Sequence, residues 1–228
     1  MSRTALTTFA ASLLAPAALT AATIHVDFGR ADNQATGNYN SVTGPGGTTL
    51  STPSVPLIDD TGASTGITLN TDFSNGGSWA GTGADYYTGP YVGSLAGIDE
   101  AALIDSLFIR SPAFVTITLV GLDTETSYGL VLYGARGNNA GDFTTYSITD
   151  GAGTTELQLN ALNNITAVEA SGLVADGNGE ITLVMTTTSS GTNGALNYLG
   201  ITTTPIPEPS AMALFLLSGL GLLNRKRS

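Results

Sequence analysis

The residues best suited to bind something lie in "GGSWAGTGADYYTGPYVG": Trp79, Tyr86, Tyr87 and Tyr91, with Asp85 among glycines. Flat aromatic faces beside a carboxylate suit a sugar ring, which stacks on the π surface while its hydroxyls take polar partners. A glycine-rich loop on a rigid scaffold is where such a group is expected. The competing reading packs the same rings beneath the loop as a small satellite core. Arg136, in "YGARG", follows a long apolar stretch and is expected at a sheet end. There it either binds an acidic sugar or pairs with Asp142.

Catalytic chemistry is poorly supplied. A Ser-His-Asp triad would have to use His25, the single histidine. His25 alternates with Ile24 and Val26, which puts it on the polar face or an edge of a strand. No Gly-x-Ser-x-Gly elbow is present; "GGSWAG" has the wrong spacing. Asp59-Asp60 and Asp99-Glu100 are adjacent in sequence, so on a strand each pair would point to opposite faces. A glycosidase would need two distant carboxylates to meet in space. No catalytic residue is assigned.

Metal and phosphate motifs are equally thin. There is no HExxH, no P-loop and no GxGxxG after a strand. "ADGNGE" (175–180) and "DGAGTTE" (150–156) lack the ligand repeat of an EF-hand and read as tight turns. No cofactor or metal ligand is expected, with a structural Ca²⁺ as the alternative. The chain has no cysteine, which excludes thiol catalysis, thiolate metal sites and disulfide bracing. Asn164-Ile165-Thr166 is a formal glycosylation sequon, read here as inert.

The charge is distributed unevenly. Formal net charge is −11, and every one of the 18 Asp and Glu residues except Glu208 falls between Thr23 and Ile206. Only Arg30, Arg110 and Arg136 oppose them there, and that stretch has no lysine. Such a body repels nucleic acid, whose binders need a basic footprint. Acidity also favours solubility outside the cell.

The two ends read as addresses. "MSRTALTTFAASLLAPAALTAATIHV" has a short basic start at Arg3, an uncharged apolar stretch and small residues at Thr20, Ala21 and Ala22. This is the pattern of a secretory signal peptide over residues 1–22, cut between Ala22 and Thr23 by signal peptidase. The last stretch reads "PIPEPSAMALFLLSGLGLLNRKRS". Its apolar run, 211–223, is shorter than the roughly 20 residues of a typical membrane span. Arg225, Lys226 and Arg227 follow it, and positive charge stays on the cytoplasmic side. Pro205, Pro207 and Pro209 hold the preceding segment extended, as a protease's active site requires.

Motif, short helix and basic tail in that order resemble the PEP-CTERM family of bacterial sorting domains. The matching residues are Pro207, Glu208, Pro209 and Ser210, then the helix, then Arg225, Lys226 and Arg227. The resemblance covers the last two dozen or so residues of the chain. It implies that an exosortase recognises residues 207–209 and removes the tail. It also implies transient anchoring in the inner membrane and a final place in the envelope, on the surface or in an extracellular polysaccharide matrix.

Between these ends, the apolar residues alternate. "TIHVDFG", "TGITLN", "FVTITLV", "TTYSIT", "TELQLN", "GEITLVMTT" and "LNYLGIT" read as strands, and "SYGLVLYGA" as one covered on both faces. Gly, Asn and Asp clusters separate them. "GIDEAALIDS" reads as one short helix, and 31–55 as loop. About eight or nine strands are expected in one all-β domain, residues 23–202, with 203–228 as linker and sorting signal. A jelly-roll β-sandwich fits this length better than an immunoglobulin-like unit.

A second resemblance follows from "DSLFIRSPAFVTITLVGLDTETSYGLVLYGARG", "TTYSITDG" and the closing "ALNYLGI". Gly121, Leu122, Asp123, Tyr128, Leu130, Leu132, Tyr133 and Arg136 resemble the pattern of galactose-binding-like, malectin-like jelly rolls. These are packing and turn residues, so the resemblance implies a fold more than a ligand. The expected protein is an exported, noncatalytic envelope or matrix component that binds polysaccharide. The alternatives are a small carbohydrate-active enzyme and a structural surface protein without a ligand.

Overall fold

The computed structural model describes residues 22–44, 54–76, 78–80, 90–136, 143–187 and 193–206, with only the backbone course given at 78–80. All of the predicted signal segment 1–22 except Ala22, and the tail from 207 on, lie outside the described residues. No described helix is long and apolar enough to cross a membrane.

Within the described residues there are fourteen strands. They are β1 (Thr23–Arg30), β2 (Tyr39–Gly44), β3 (Ser54–Ile58), β4 (Ser64–Asp72), β5 (Ser78–Ala80), β6 (Ser106–Arg110) and β7 (Val115–Val120). Then follow β8 (Thr126–Tyr133), β9 (Phe143–Thr149), β10 (Thr154–Asn160), β11 (Val168–Val174), β12 (Glu180–Thr187), β13 (Asn193–Leu196) and β14 (Tyr198–Pro205). The helix expected in "GIDEAALIDS" shortens to α1 (Ala101–Ile104), preceded by one 3₁₀ turn, Gly93–Leu95.

A five-stranded sheet, β11-β8-β14-β1-β2, faces a six-stranded one, β10-β9-β12-β7-β4-β3. Their inner faces interdigitate into one core. Ile24, Val26, Phe28, Leu130, Leu132, Leu199 and Ile201 come from the first sheet, and Leu69, Ile117, Leu119, Tyr146, Ile148, Leu183 and Met185 from the second. Period-two alternation explains the assignment: in β7, Val115, Ile117 and Leu119 are buried while Thr116 and Thr118 are only partly covered. A third, three-stranded sheet, β13-β6-β5, caps one end of the sandwich and sends Leu107, Ile109 and Leu196 into the same core.

Three expectations change. The described residues form fourteen strands where about eight or nine were expected, because short pairings such as β3, β5 and β13 carry too few residues to show an alternation. The segment 31–55, read as loop, contains β2, which lies parallel to β1 with His25 opposite Tyr39 and Arg30 opposite Gly44. The last strand runs past the expected boundary at 202, to Pro205, which pairs with Thr126. As expected, β8 is interior and covered on both faces. Leu130 and Leu132 point into the core, and Tyr133 is buried under segment 90–105, which straps the outer face of the five-stranded sheet.

Candidate functional site

Strand register makes the two ends of the sandwich unlike. Asp72 opposite Thr116, Met185 opposite Val115, Thr187 opposite Thr144 and Tyr198 opposite Tyr133 all lie at one end. The connections 44–54, 72–78, 136–143 and 187–193 therefore start and finish at that end, beside the three-stranded cap. At the other end sit the turns 59–63, 121–125, 150–153 and 176–179, with Thr23 and Pro205. Those turns are closed by Asp side chains: Asp59, Asp150 and Asp176 each accept from backbone N–H groups two residues onward or more.

Of the expected sugar-binding residues, Trp79, Tyr91 and Arg136 are described, and they fall at the long-loop end. Trp79 lies in β5, with its backbone opposite Leu107. Asp85, Tyr86 and Tyr87 lie outside the described residues. Tyr91 is half-buried and meets Tyr133 edge-on, ring centres 5.8 Å apart at 87°. It belongs to a second apolar cluster with Leu95, Leu103 and Tyr198, so it anchors its end of the aromatic loop. Arg136 sits at the end of β8 as expected but turns inward. It is 6% exposed, its guanidinium lies 4.7 Å over the Phe108 ring, and its backbone bonds Ala161 and Asn163. Asp142 lies outside the described residues.

The strap covers a group of polar residues, of which sequence reasoning singled out His25 and Asp99 but not Asp27, Asp105 or Asn197. On the outer face of β1, His25 stacks on Tyr39 with ring centres 5.0 Å apart and shares a 2.7 Å hydrogen bond through Nδ1 with the Tyr198 hydroxyl. That hydroxyl folds back over Gly200, where a Cβ would approach it to 2.7 Å. Burial lowers the His25 pKa, and the charge of Asp60 opposes this. Two residues on, Asp27 is 0% exposed: Oδ2 accepts from the Ala35 N–H at 2.8 Å, and Oδ1 has no partner. Asp105, 2% exposed, accepts from the Arg30 N–H at 2.8 Å and also has a bare Oδ1.

Burial pushes Asp27 up to about 7 and Asp105 up to about 6. For Asp27, the neighbouring charges of Asp105 and Asp99 add to that effect. Asp99 moves the other way, because the Thr36 N–H and hydroxyl and the Ala101 N–H donate to it. A hint lay in the spacing: Asp27 and Gly29 share a face, and a Cβ at Gly29 would collide with the Asp105 carboxylate. Asn197 locks the layers together. Its amide donates to Leu103 O and accepts from Ala135 N, both at 2.8 Å.

Among the described residues, the two raised carboxyls of the strap cluster, Asp27 and Asp105, are closed off from solvent. A general acid must reach its substrate, and Asp27 and Asp105 are sealed beneath the strap. The open carboxylates behave differently. A cleft of about 320 Å³ at the termini end is lined by Asp59 and Asp123. The Thr61 hydroxyl and the backbone N–H groups of Ala63 and Thr61 hold Asp59 below the usual carboxylate range, a poor setting for an acid. Among the described residues no three His, Cys, Asp or Glu side chains gather to hold a metal ion. The Asn164 sequon amide donates to Gly134 O at 3.1 Å and Thr166 O at 2.6 Å, so a glycan, which leaves that nitrogen one N–H, would cost at least one of the two bonds.

No family model matches the chain, and no curated protein does. Solved structures with partial likeness include a family 35 carbohydrate-binding module from Clostridium thermocellum, 16% identical over 58% of this chain and 90% of that one, TM-score 0.35. A family 61 module in complex with β-1,4-galactotriose is 10% identical over 62% of this chain and 89% of its own, TM-score 0.28. A Podospora anserina β-(1,4)-mannanase carrying a family 35 module is 12% identical over 62% of this chain and 29% of that enzyme, TM-score 0.31. At such scores the assignment of this chain as an all-β sandwich rests on its own strand pairing.

Proposed function

We propose that this chain is an exported, noncatalytic protein of the cell envelope or extracellular matrix, that it binds polysaccharide at the long-loop end, and that an exosortase removes its C-terminal tail. The observation that carries the binding reading is the polarity of the sandwich. The connections flanking Trp79 and Arg136 open at one end, and the chain leaves toward the "PEP" tail from the other, beside Thr23. Until the tail is cut, a binder tethered through the segment beyond Pro205 would keep that opposite end clear of the membrane. The sealed position of Asp27 and Asp105 speaks for a noncatalytic role over a glycosidase.

Affinity electrophoresis through gels containing neutral or acidic polysaccharides tests binding. Retardation by at least one polysaccharide, lost in Trp79→Ala, is the expected result. Loss of a buried stacking ring costs about 1.5–3 kcal/mol, roughly 10- to 150-fold in affinity. Unretarded migration in every gel would leave the reading of a structural surface protein without a ligand. Intact mass of protein recovered from its host tests the addresses: an N-terminus at Thr23 and a C-terminus near Pro209 are expected. A retained tail would overturn exosortase processing.

A further inference from the structure

Among the described residues, the strap from Val92 to Asp105 has no strand partner, and it crosses the outer face of the five-stranded sheet on side-chain contacts. Leu95, Ala102 and Leu103 rest on Tyr133 and Tyr198. The Asp99 N–H donates to the Tyr39 hydroxyl at 2.9 Å, and the Asn197 amide and the Arg30 N–H donate to Leu103 O and Asp105 at 2.8 Å each. Gly93 and Gly97 stand at φ 67° and 87° with open space where a Cβ would go, which gives the strap two pivots near its start. We propose that the strap is an acid-closed latch: it stays down while Asp27 and Asp105 hold protons, and it lifts as a unit, ahead of the sandwich, once they ionise. Lifting draws Tyr91 off Tyr133 and so moves the end of the aromatic stretch that precedes it.

The arrangement of the carboxyls sets the direction. Asp27 and Gly29 share the outer face of β1, and the Asp105 carboxylate lies directly on Gly29, so the two carboxyls occupy neighbouring positions under the strap. Each spends Oδ2 on a backbone N–H, of Ala35 and of Arg30, and keeps a buried Oδ1 without a partner. The charges acting on Asp27 are those of Asp105 and Asp99, and the charge acting on Asp105 is that of Asp32. Burial holds Tyr39 and Tyr198 neutral and favours the neutral form of His25. Glu100 is exposed, and Arg30 turns its guanidinium outward to Asp32 at 2.8 Å. A buried acid is tolerable in such a place, whereas two buried carboxylates facing only negative charge are not. The protons are therefore bound more tightly with the strap down. Opening becomes easier as pH rises, up to about 7, where Asp27 ionises in place.

The chain has no cysteine, so a single introduced thiol reports one place. Ala102→Cys puts it on the buried side of the strap and Ala135→Cys beneath the strap, while Ala195→Cys reports the main core. Ala96→Cys, exposed on the same segment, gives the unhindered rate at each pH. Each full-chain variant is reacted with dithiodipyridine at pH 5 and pH 8, and its rate is divided by that reference. Between those values Asp27 ionises over about two pH units and Asp105 over about one, a ceiling of roughly a thousandfold. Water entry around the buried ions lowers this, so the relative rate in Ala102→Cys should rise about tenfold or more. Ala135→Cys should follow it, and takes its place if Ala102→Cys does not fold. Ala195→Cys should stay well below both at pH 8. In the added pair Asp27→Asn/Asp105→Asn, which keeps each acceptor without the charge, the rise should vanish. A relative rate that is flat with pH overturns the latch. So does one that climbs only together with Ala195→Cys to the same level, or one that climbs unchanged in the asparagine pair.

Discussion

Replacing Asp27 by asparagine should stabilise the protein, and only on the alkaline side. In the fold this carboxyl is 0% exposed with one bare oxygen, and its pKa stands at about 7 against 3.8 unperturbed. A folded-state pKa above the unfolded one means that the folded state holds the proton more tightly. The associated stability is fully present below pH ~4 and is lost as pH rises through about 7. Three units at about 1.4 kcal/mol each give roughly 4 kcal/mol as the ceiling. Relaxation and water entry around a buried ion reduce that, so about 1–2 kcal/mol is expected. The side-chain amide of the Asp27→Asn variant would keep an acceptor for the Ala35 N–H without carrying charge. Urea unfolding at pH 5 and pH 8 is the assay. With a slope of about 2 kcal/mol/M, the variant's midpoint should exceed the wild type's by about 0.5–1 M at pH 8. At pH 5 the two should nearly coincide. Wild type itself should be more stable at pH 5 than at pH 8, with Asp105 titrating near about 6 adding to the trend. Equal destabilisation of the variant at both pH values would refute the reasoning.

Two further substitutions test the strap. Gly29→Ala drives a Cβ into the Asp105 carboxylate and should cost about 1–3 kcal/mol in thermal or urea unfolding, with Asp105→Ala in the same chain recovering part of it. Asn197→Ala strips the buried partners of Leu103 O and Ala135 N, and should cost about 2–4 kcal/mol with earlier amide exchange at Ala135. A loss under about 1 kcal/mol would mean that water replaces the amide.

Much of the sandwich is written locally. "FVTITLV" alternates through Val115, Ile117 and Leu119, and in "EITLVMTT" the same period buries Ile181, Leu183 and Met185 while Val184 between them is only partly covered. β2 is invisible by the same rule. "YNSVTG" offers Val42 alone to the main core, and its strand character comes from pairing with β1 and from Asn40, whose amide holds His25 O and Ile58. β3 carries Pro56, which an edge strand tolerates and an interior one does not. The strap cluster was hidden for a similar reason. Asp27 reads as the outward half of an alternating strand until segment 90–105 crosses over it. Tyr91 illustrates a shared role: its position beside the aromatic loop was legible, and its packing on Tyr133 depends on where the strap lands.

β14 runs between β8 and β1, bonded along Tyr198–Pro205 to the first and from Thr202 back to Tyr198 to the second. The chain leaves it at Ile206, in line with the strand. A pull on that exit acts lengthwise, in shear, against two hydrogen-bonded neighbours at once. It cannot peel the strand off one bond at a time. A sandwich held at Ile206 and dragged by whatever its far loops grip would thus meet the load along its mechanically strongest axis. β14 is also among the last strands that such a force would extract.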